Sequence, residues 1–310
     1  PNNKDVKFNN GHFLHQFTYF IGPVNFYYME GKKKKVTKMN TGDSMYISPY
    51  IPHTFTTRKN VDNKLGHILA LTYSDKISTE SLNELNAIGY NLVRRFKLNL
   101  KNETYSFKST LNYFLKNSSI SDELFKNKIG IDLKKILTQN KTPNPKIVKK
   151  ITKLLDINER DLSPPIMKEK VKIKKYNENK NWYYPSSKQK KYLFVELTSL
   201  PQIPTSKAFE LTILTTEENP ITFEVPTHQY IYNIGVEKIY LKFEKKNLEI
   251  LSPGDSIYLK PNIQHKFIGL GKVLIFRIGG QISSDTLYHL SWLSDLNLKR
   301  LLNDDKQWFN

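Results

Sequence analysis

Short runs of this chain alternate apolar and polar positions with a period of two. Six of them, rich in aromatic and β-branched residues, are Phe17–Ile21, Phe26–Met29, Met45–Ile47, Ile239–Phe243, Ile257–Leu259 and Val273–Ile278. On a strand this period sends alternate side chains to opposite faces, so each run predicts a strand with one buried side. Pro and Gly-Asp turns punctuate the runs, and strands so short and so spaced predict small antiparallel barrels or jelly rolls. Between the two groups the period lengthens to that of a helix. Leu82, Leu85, Ile88, Leu92 and Phe96 mark helical sequence within residues 76–117. Residues 118–163 predict a compact helical unit, with Ser121 as a cap and Ile129, Leu133, Ile136, Ile147, Ile151 and Leu155 among its apolar positions. Pro164-Pro165 closes that unit, Lys168–Lys180 reads as a charged linker, and residues 283–310 read as a terminal helix and tail.

The two β groups are copies of one another. Residues 15–22 read HQFTYFIG and residues 228–235 read HQYIYNIG. Downstream of the first lies Gly42-Asp43, then Pro52-His53; downstream of the second lies Gly254-Asp255, then Gln264-His265. Gln16 and His53 stand 37 positions apart, Gln229 and His265 stand 36 apart, and unrelated strand pairs would not share both motifs and their separation. The pattern of a His/Gln strand followed by Gly-Asp, a proline and a histidine resembles the cupin superfamily over roughly 1–75 and 190–282. The implied fold is mixed and mainly β. It comprises a first cupin at 1–75, a helical domain at 76–175, a second, degenerate cupin at 176–282, and a tail at 283–310. The stretch from Ile129 to Ile157 resembles a helix-turn-helix of the phage-repressor type, with Gly130 at the turn.

Composition narrows the chemistry. A length of 310 residues leaves room for two or three domains, and 38% hydrophobic residues with 12% aromatics supply real cores. No apolar run approaches the ~18–20 residues of a membrane span, and the opening PNNKDVKFNN does not read as a signal peptide. The absence of cysteine excludes disulfides, thiolate metal sites and cysteine nucleophiles together. The net charge of +19 first suggests nucleic acid, yet only six of the 48 basic residues are arginines. Base readout and bidentate phosphate gripping lean on arginine. Lysine is spread through every segment, which indicates compositional bias and not a binding face. A cytoplasmic enzyme that binds neither nucleic acid nor membrane is the expectation, and the sequence leaves room for a homo-oligomer.

On one strand, His12 and Gln16 share a face while His15 points the other way. In a cupin the inward face of this strand and the histidine of the second motif meet at one metal, so the resemblance implies a site of His12, Gln16 and His53 in the first copy. In the second copy Val225 stands four residues before Gln229, so that copy lacks the first ligand and the metal belongs to the first alone. His15, His67, His228 and His289 read as surface or satisfied core residues. Two imidazoles and one oxygen donor on a single face leave three open positions. This suits non-haem Fe(II), which takes a chelating substrate and O2 side by side. A carboxylate at the third ligand would leave the ferrous site at one positive charge; neutral Gln16 leaves it at two. The full charge favours a chelating anion.

The set Asn9-x2-His12-x3-Gln16, with Ile47 six residues before His53, resembles the methylphosphonate synthase family. That family belongs to a mononuclear iron group with 2-hydroxyethylphosphonate dioxygenase and hydroxypropylphosphonate epoxidase. The resemblance implies Fe(II) as cofactor, a small phosphonate and O2 as reactants, and cleavage of 2-hydroxyethylphosphonate to methylphosphonate and carbon dioxide. It implies that Asn9 contacts the phosphonate. The epoxidase places Glu where Gln16 stands, and the dioxygenase takes a carboxylate ligand from the position of Ile47, so both positions bear on the product. The same-class alternative is the dioxygenase outcome, hydroxymethylphosphonate and formate. The different-class alternative is a cupin/helix-turn-helix transcription regulator. Only 11 residues precede His12, whereas strand-like sequence begins about 33 residues before Val225, near Tyr192. A truncated chain lacking some N-terminal barrel strands and upstream phosphonate anchors is therefore expected.

Overall fold

The computed structural model describes residues 7–8, 11–12, 14–58, 65–73, 79–93, 102–139, 141–163, 169–201, 203, 205–217, 220–243, 248–279, 290–291 and 293–309. It is mainly β and divides into two compact units, residues 77–169 and the remainder.

The first repeat holds β1 (His15–Ile21), β2 (Val24–Glu30), β3 (Lys33–Met39), β4 (Ser44–Ile47), β5 (His53–Thr57) and β6 (His67–Tyr73). Two antiparallel sheets result, β3-β2-β5 and β6-β1-β4, with Gln16 opposite Ile47 and Tyr28 opposite His53. Phe20, Val24, Phe26, Met39, Met45 and Ile47 form the core between them. Part of the expected linker at 168–180 is instead structured. Val171–Lys174 forms β7, which pairs with β4 as an edge strand of the first repeat. Its period-two alternation puts Val171 and Ile173 on that core, while Lys172 and Lys174 donate to the carbonyls of Ser199 and Glu196. The next turn grips the Gly-Asp motif. Asp43, 4% exposed, accepts from Lys175 Nζ at 2.8 Å and from the Tyr176 amide at 3.0 Å. Gly42 has φ +85°, and a Cβ there would run into the Tyr176 ring.

The strands of the second repeat lie within the expected 176–282 but start ahead of Tyr192, with β8 (Lys180–Pro185), then β9 (Lys190–Glu196) and β10 (Lys207–Thr215). β11 (His228–Asn233), β12 (Ile239–Phe243), β13 (Glu249–Leu251), β14 (Ser256–Leu259) and β15 (His265–Ile278) repeat β1 to β6. One long strand, β15, replaces β5 and β6: its first half pairs with β12 and its second with β11 and β10, so eight strands share one sheet. Gly269, at φ +114°, supplies the bend. Phe194, Leu211, Ile213, Ile231, Leu241, Phe267 and Ile275 fill the interior. The repeats pack through outward faces, Phe17 and Tyr19 of β1 against Leu197, Ala208, Leu274 and Phe276. At the centre of this junction lies Glu210, 1% exposed, which accepts from Tyr19 Oη at 2.7 Å, Tyr176 Oη at 3.2 Å and Lys272 Nζ at 2.8 Å.

The described elements of residues 77–169 are helices: α1 (Thr79–Ile88), α2 (Tyr90–Val93), α3 (Glu103–Asn117), α4 (Asp122–Ile129), α5 (Leu133–Thr138), α6 (Pro145–Leu155) and α7 (Glu159–Leu162). Ser121 caps α4 by accepting from the Leu124 amide, Gly130 ends it at φ +82°, and Asn144 caps α6 with Pro145 in the first turn. Phe107, Leu111, Phe125, Ile129, Ile136, Ile151 and Leu155 form the core of this unit. Ile88 and Leu92 are exposed despite their helical period. Near the C-terminus α8 spans Asp295–Phe309. Among the described residues no helix is long and apolar enough to cross a membrane.

Candidate metal centre

His12 precedes β1, which starts at His15, so strand parity is not what brings it to Gln16. Two backbone contacts do so. The His12 carbonyl accepts from the Tyr50 amide at 2.8 Å, tying the pre-strand segment to the loop before His53. His12 Nδ1 donates to the Leu14 carbonyl at 2.8 Å. His53 opens β5, and its Nδ1 donates to the Ile51 carbonyl, also at 2.8 Å. A carbonyl can only accept, so in each neutral imidazole the proton sits on Nδ1 and Nε2 presents a bare lone pair.

The two lone pairs meet at Gln16. His12 Nε2 lies 2.7 Å and His53 Nε2 3.1 Å from Gln16 Oε1, with the imidazole centroids 5.2 Å apart and nearly perpendicular. The amide is held from its other end, where Nε2 donates to Thr18 Oγ1 at 2.9 Å. Burial pushes the His53 imidazolium below the usual histidine range; the Ile51 carbonyl opposes this, and nearby His12 adds to the lowering. Burial and the neighbouring imidazole both favour the neutral form of His53, the form that can bind a metal. In that tautomer the two Nε2 lone pairs and Gln16 Oε1 face one another, an arrangement that a cation among them would relieve. First-row divalent metals hold such donors at about 2.1 Å, and two donors at right angles then stand about 3.0 Å apart. The donor set fits one metal ion. Among the described residues no three His, Asp or Glu side chains converge; the third donor here is an amide.

Ile47, 0% exposed, lies directly across from Gln16 in the β1–β4 register and offers no ligand. Asn9 lies outside the described residues, as does His289. His15 faces away and bonds the Tyr46 hydroxyl, as His228 bonds that of Tyr258 in the second repeat; His67 is exposed.

In the second repeat His265 Nδ1 donates to the Ile263 carbonyl at 2.8 Å, as His53 does to Ile51. The surroundings of the glutamine differ. Arg277 occupies the register position opposite Gln229 that Thr72 holds opposite Gln16, and its Nε donates to Gln229 Oε1 at 3.2 Å. The guanidinium lies over the Phe209 ring at 5.1 Å. Sequence reading finds Val225 but misses Arg277 and Thr18. The signal for Thr18 is its place two residues after Gln16, on the same face of β1.

No protein-family model matches the sequence. The chain is similar to the methylphosphonate synthase of Nitrosopumilus maritimus strain SCM1, 40% identical over 318 residues, which take in all of this chain and 69% of that protein. Among solved structures it is similar to the 2-hydroxyethylphosphonate dioxygenase of Streptomyces albus with 2-hydroxyethylphosphonate and Fe(II) bound, with TM-score 0.86 and 26% identity over all of this chain and 71% of the other. A single-site mutant of a hydroxyethylphosphonate dioxygenase shares the fold, with TM-score 0.74 at 17% identity over 97% of this chain and 73% of the other. Forty per cent identity along its whole length places this chain in the methylphosphonate synthase family.

Proposed function

We propose that the chain uses O2 to cleave the carbon–carbon bond of 2-hydroxyethylphosphonate at one Fe(II) ion, held by His12, Gln16 and His53, releasing methylphosphonate and carbon dioxide. The observation that carries this reading is the convergence of three bare lone pairs at His12 Nε2, His53 Nε2 and Gln16 Oε1. The synthase relative and the Fe(II)- and substrate-bound dioxygenase structure support the substrate and the metal. When bound, Fe(II) supplies the reactivity toward O2 and three open positions for a chelating substrate.

The chain's own residues set charge and geometry. The Leu14 and Ile51 carbonyls lock both imidazoles in the ligating tautomer. Neutral Gln16 leaves the metal's charge undiminished, which draws a phosphonate dianion more strongly than a carboxylate-ligated site would. Ile47 walls the site beside Gln16 with an apolar side chain that can neither ligate nor hold a proton. Asn9, three residues before His12, is assigned the phosphonate contact on the strength of the motif.

The finer architecture follows the same reading. Each β repeat is a cupin, the first metal-bearing and the second degenerate, and the helices between them form a helix-turn-helix-like unit. The domains then fall at 1–75, 76–175, 176–282 and 283–310, with β7 returning to the first cupin. We place the reaction in the cytoplasm.

Phosphorus NMR of the products formed from 2-hydroxyethylphosphonate, Fe(II), O2 and the full chain tests the function. Methylphosphonate as the main product supports it. Hydroxymethylphosphonate as the main product moves the chain to the dioxygenase reaction, and no turnover overturns the reading.

A further inference from the structure

We infer that Thr18 is the positioning residue that lets Gln16 ligate through its carbonyl oxygen. The inference rests on the metal reading above. An amide has two unlike ends, and only the oxygen end can bind a metal. Facing Oε1 toward the two imidazoles turns the –NH2 end into the β1 face, where a buried donor without an acceptor is destabilising. Thr18 Oγ1 supplies that acceptor at 2.9 Å. Gln16 is 5% exposed and Thr18 0%, so water has little access to either. Strand geometry fixes the pairing, since residues two apart share a face. In the metal-free protein the opposite orientation would let the amide donate to the histidine lone pairs. Thr18 is what keeps the ligating orientation satisfied.

The second repeat serves as an internal control. Ile231 stands at the position of Thr18 and is buried in the apolar core. The copy that has Val225 for His12 thus also has no hydroxyl beside its glutamine. Gln229 Oε1 accepts from Arg277 Nε instead. The hydroxyl accompanies the ligand set and is missing where that set is broken.

Anaerobic Fe(II) titration of the full chain tests the inference, with Co(II) and its visible spectrum as a second probe. Thr18→Val, which keeps shape and removes the hydroxyl, should weaken metal affinity about 10–100-fold. Thr18→Ser should stay within about threefold of the parent, since the acceptor is retained. In a Gln16→Glu background the Val change should cost less than about threefold, because a carboxylate has no N–H to strand. Circular dichroism checks folding, and Thr18→Ala replaces Thr18→Val if the latter does not fold. Parent-like affinity in the variant lacking the hydroxyl, an equal loss in Thr18→Ser, or an undiminished loss beside Gln16→Glu overturns the inference. If His12→Ala also leaves affinity untouched, the metal reading falls and takes this inference with it. If His12→Ala abolishes binding while Thr18→Val does not weaken it, only the role of Thr18 falls.

Discussion

Val225 stands in the second repeat where His12 stands in the first. Each gives its carbonyl to the backbone amide three residues before the motif histidine, Val225 to Asn262 and His12 to Tyr50, at 2.8 Å in both. Tyr50 and Asn262 even share the left-handed backbone, at φ 59° and 60°. The duplication has therefore kept the backbone cradle of the proposed ligand His12 in a place where the histidine itself is gone.

That equivalence predicts how a second metal site could be rebuilt. Anaerobic Fe(II) titration should give one equivalent per chain, lost in His12→Ala and in His53→Ala. Val225→His alone should add nothing, because the Arg277 guanidinium already faces Gln229 and repels a second cation. Val225→His combined with Arg277→Thr and Ile231→Thr should add a second, weaker equivalent. A second equivalent from the single change would disprove the blocking role of Arg277.

Product choice should follow the charge of the ligand set. Gln16→Glu lowers the net charge of a ferrous site by one and should weaken chelation of the phosphonate dianion. It should also move product from methylphosphonate toward hydroxymethylphosphonate. Ile47→Glu places a carboxylate across from Gln16 and should act in the same direction. The ratio of the two phosphonates by NMR, with deuterated formate as a trap, is the measurement. An unchanged ratio in both variants at comparable turnover would shift the explanation to pocket shape.

The junction between the repeats should be sensitive to a single oxygen. Tyr19 gives its hydroxyl to buried Glu210, and burial together with that carboxylate raises the tyrosine pKa far above its ordinary value. Tyr19→Phe leaves a buried carboxylate with one donor fewer and should cost about 1.5–3 kcal/mol in urea unfolding. A loss below about 0.5 kcal/mol, the size of an ordinary surface change, would show that Lys272 and Tyr176 satisfy Glu210 without it.

Stability should fall on the acid side of neutrality. Burial depresses the pKa of His265, and the Arg277 charge adds to this while the Ile263 carbonyl opposes it. Below about pH 6.5 the unfolded chain's histidine takes up a proton that the buried ring refuses, so the unfolded state holds more protons. The native state thus keeps its full stability above that pH and loses it as pH falls toward the folded pKa, at up to about 1.4 kcal/mol per unit for each such histidine. His53 is depressed in the same direction. In His265→Gln the urea midpoint should fall less steeply between about pH 5 and 6.5. An identical slope would show that His265 takes up its proton alike in the folded and unfolded chain.

The repeat made most of the β architecture readable, because period-two alternation and the Gly-Asp turns occur twice. Elements without a half-buried pattern were harder to read. In β3 Lys33, Lys34 and Lys35 are exposed and no apolar alternation announces the strand. β7 carries its alternation inside a run that charge alone marks as linker. Ile88 and Leu92 show the opposite case, a helical period on residues that stay exposed. Within the candidate site, His12, Gln16 and His53 could be named from motif spacing, although His12 is brought to Gln16 from ahead of β1 and not by strand parity. Thr18 carries a local signal, two residues after Gln16 on the same face of β1, whereas Glu210 and Arg277 could not be named that way. Their roles depend on which strands lie side by side, and the register of β1, β10, β11 and β15 is a long-range property.

Arg277 has one more consequence. A metal centre ties folding to supply, since whatever binds only the native state adds to its stability in proportion to the free concentration. At the proposed site, the first repeat would carry that dependence through His12, Gln16 and His53. The second repeat holds its positive charge on a covalent side chain, which cannot dissociate or be chelated. Iron scarcity should thus soften one half of the β unit and spare the other. The spared half is the one that anchors β1 through Tyr19 and Glu210, so a chain waiting for iron keeps a folded surface on which the empty site can re-form.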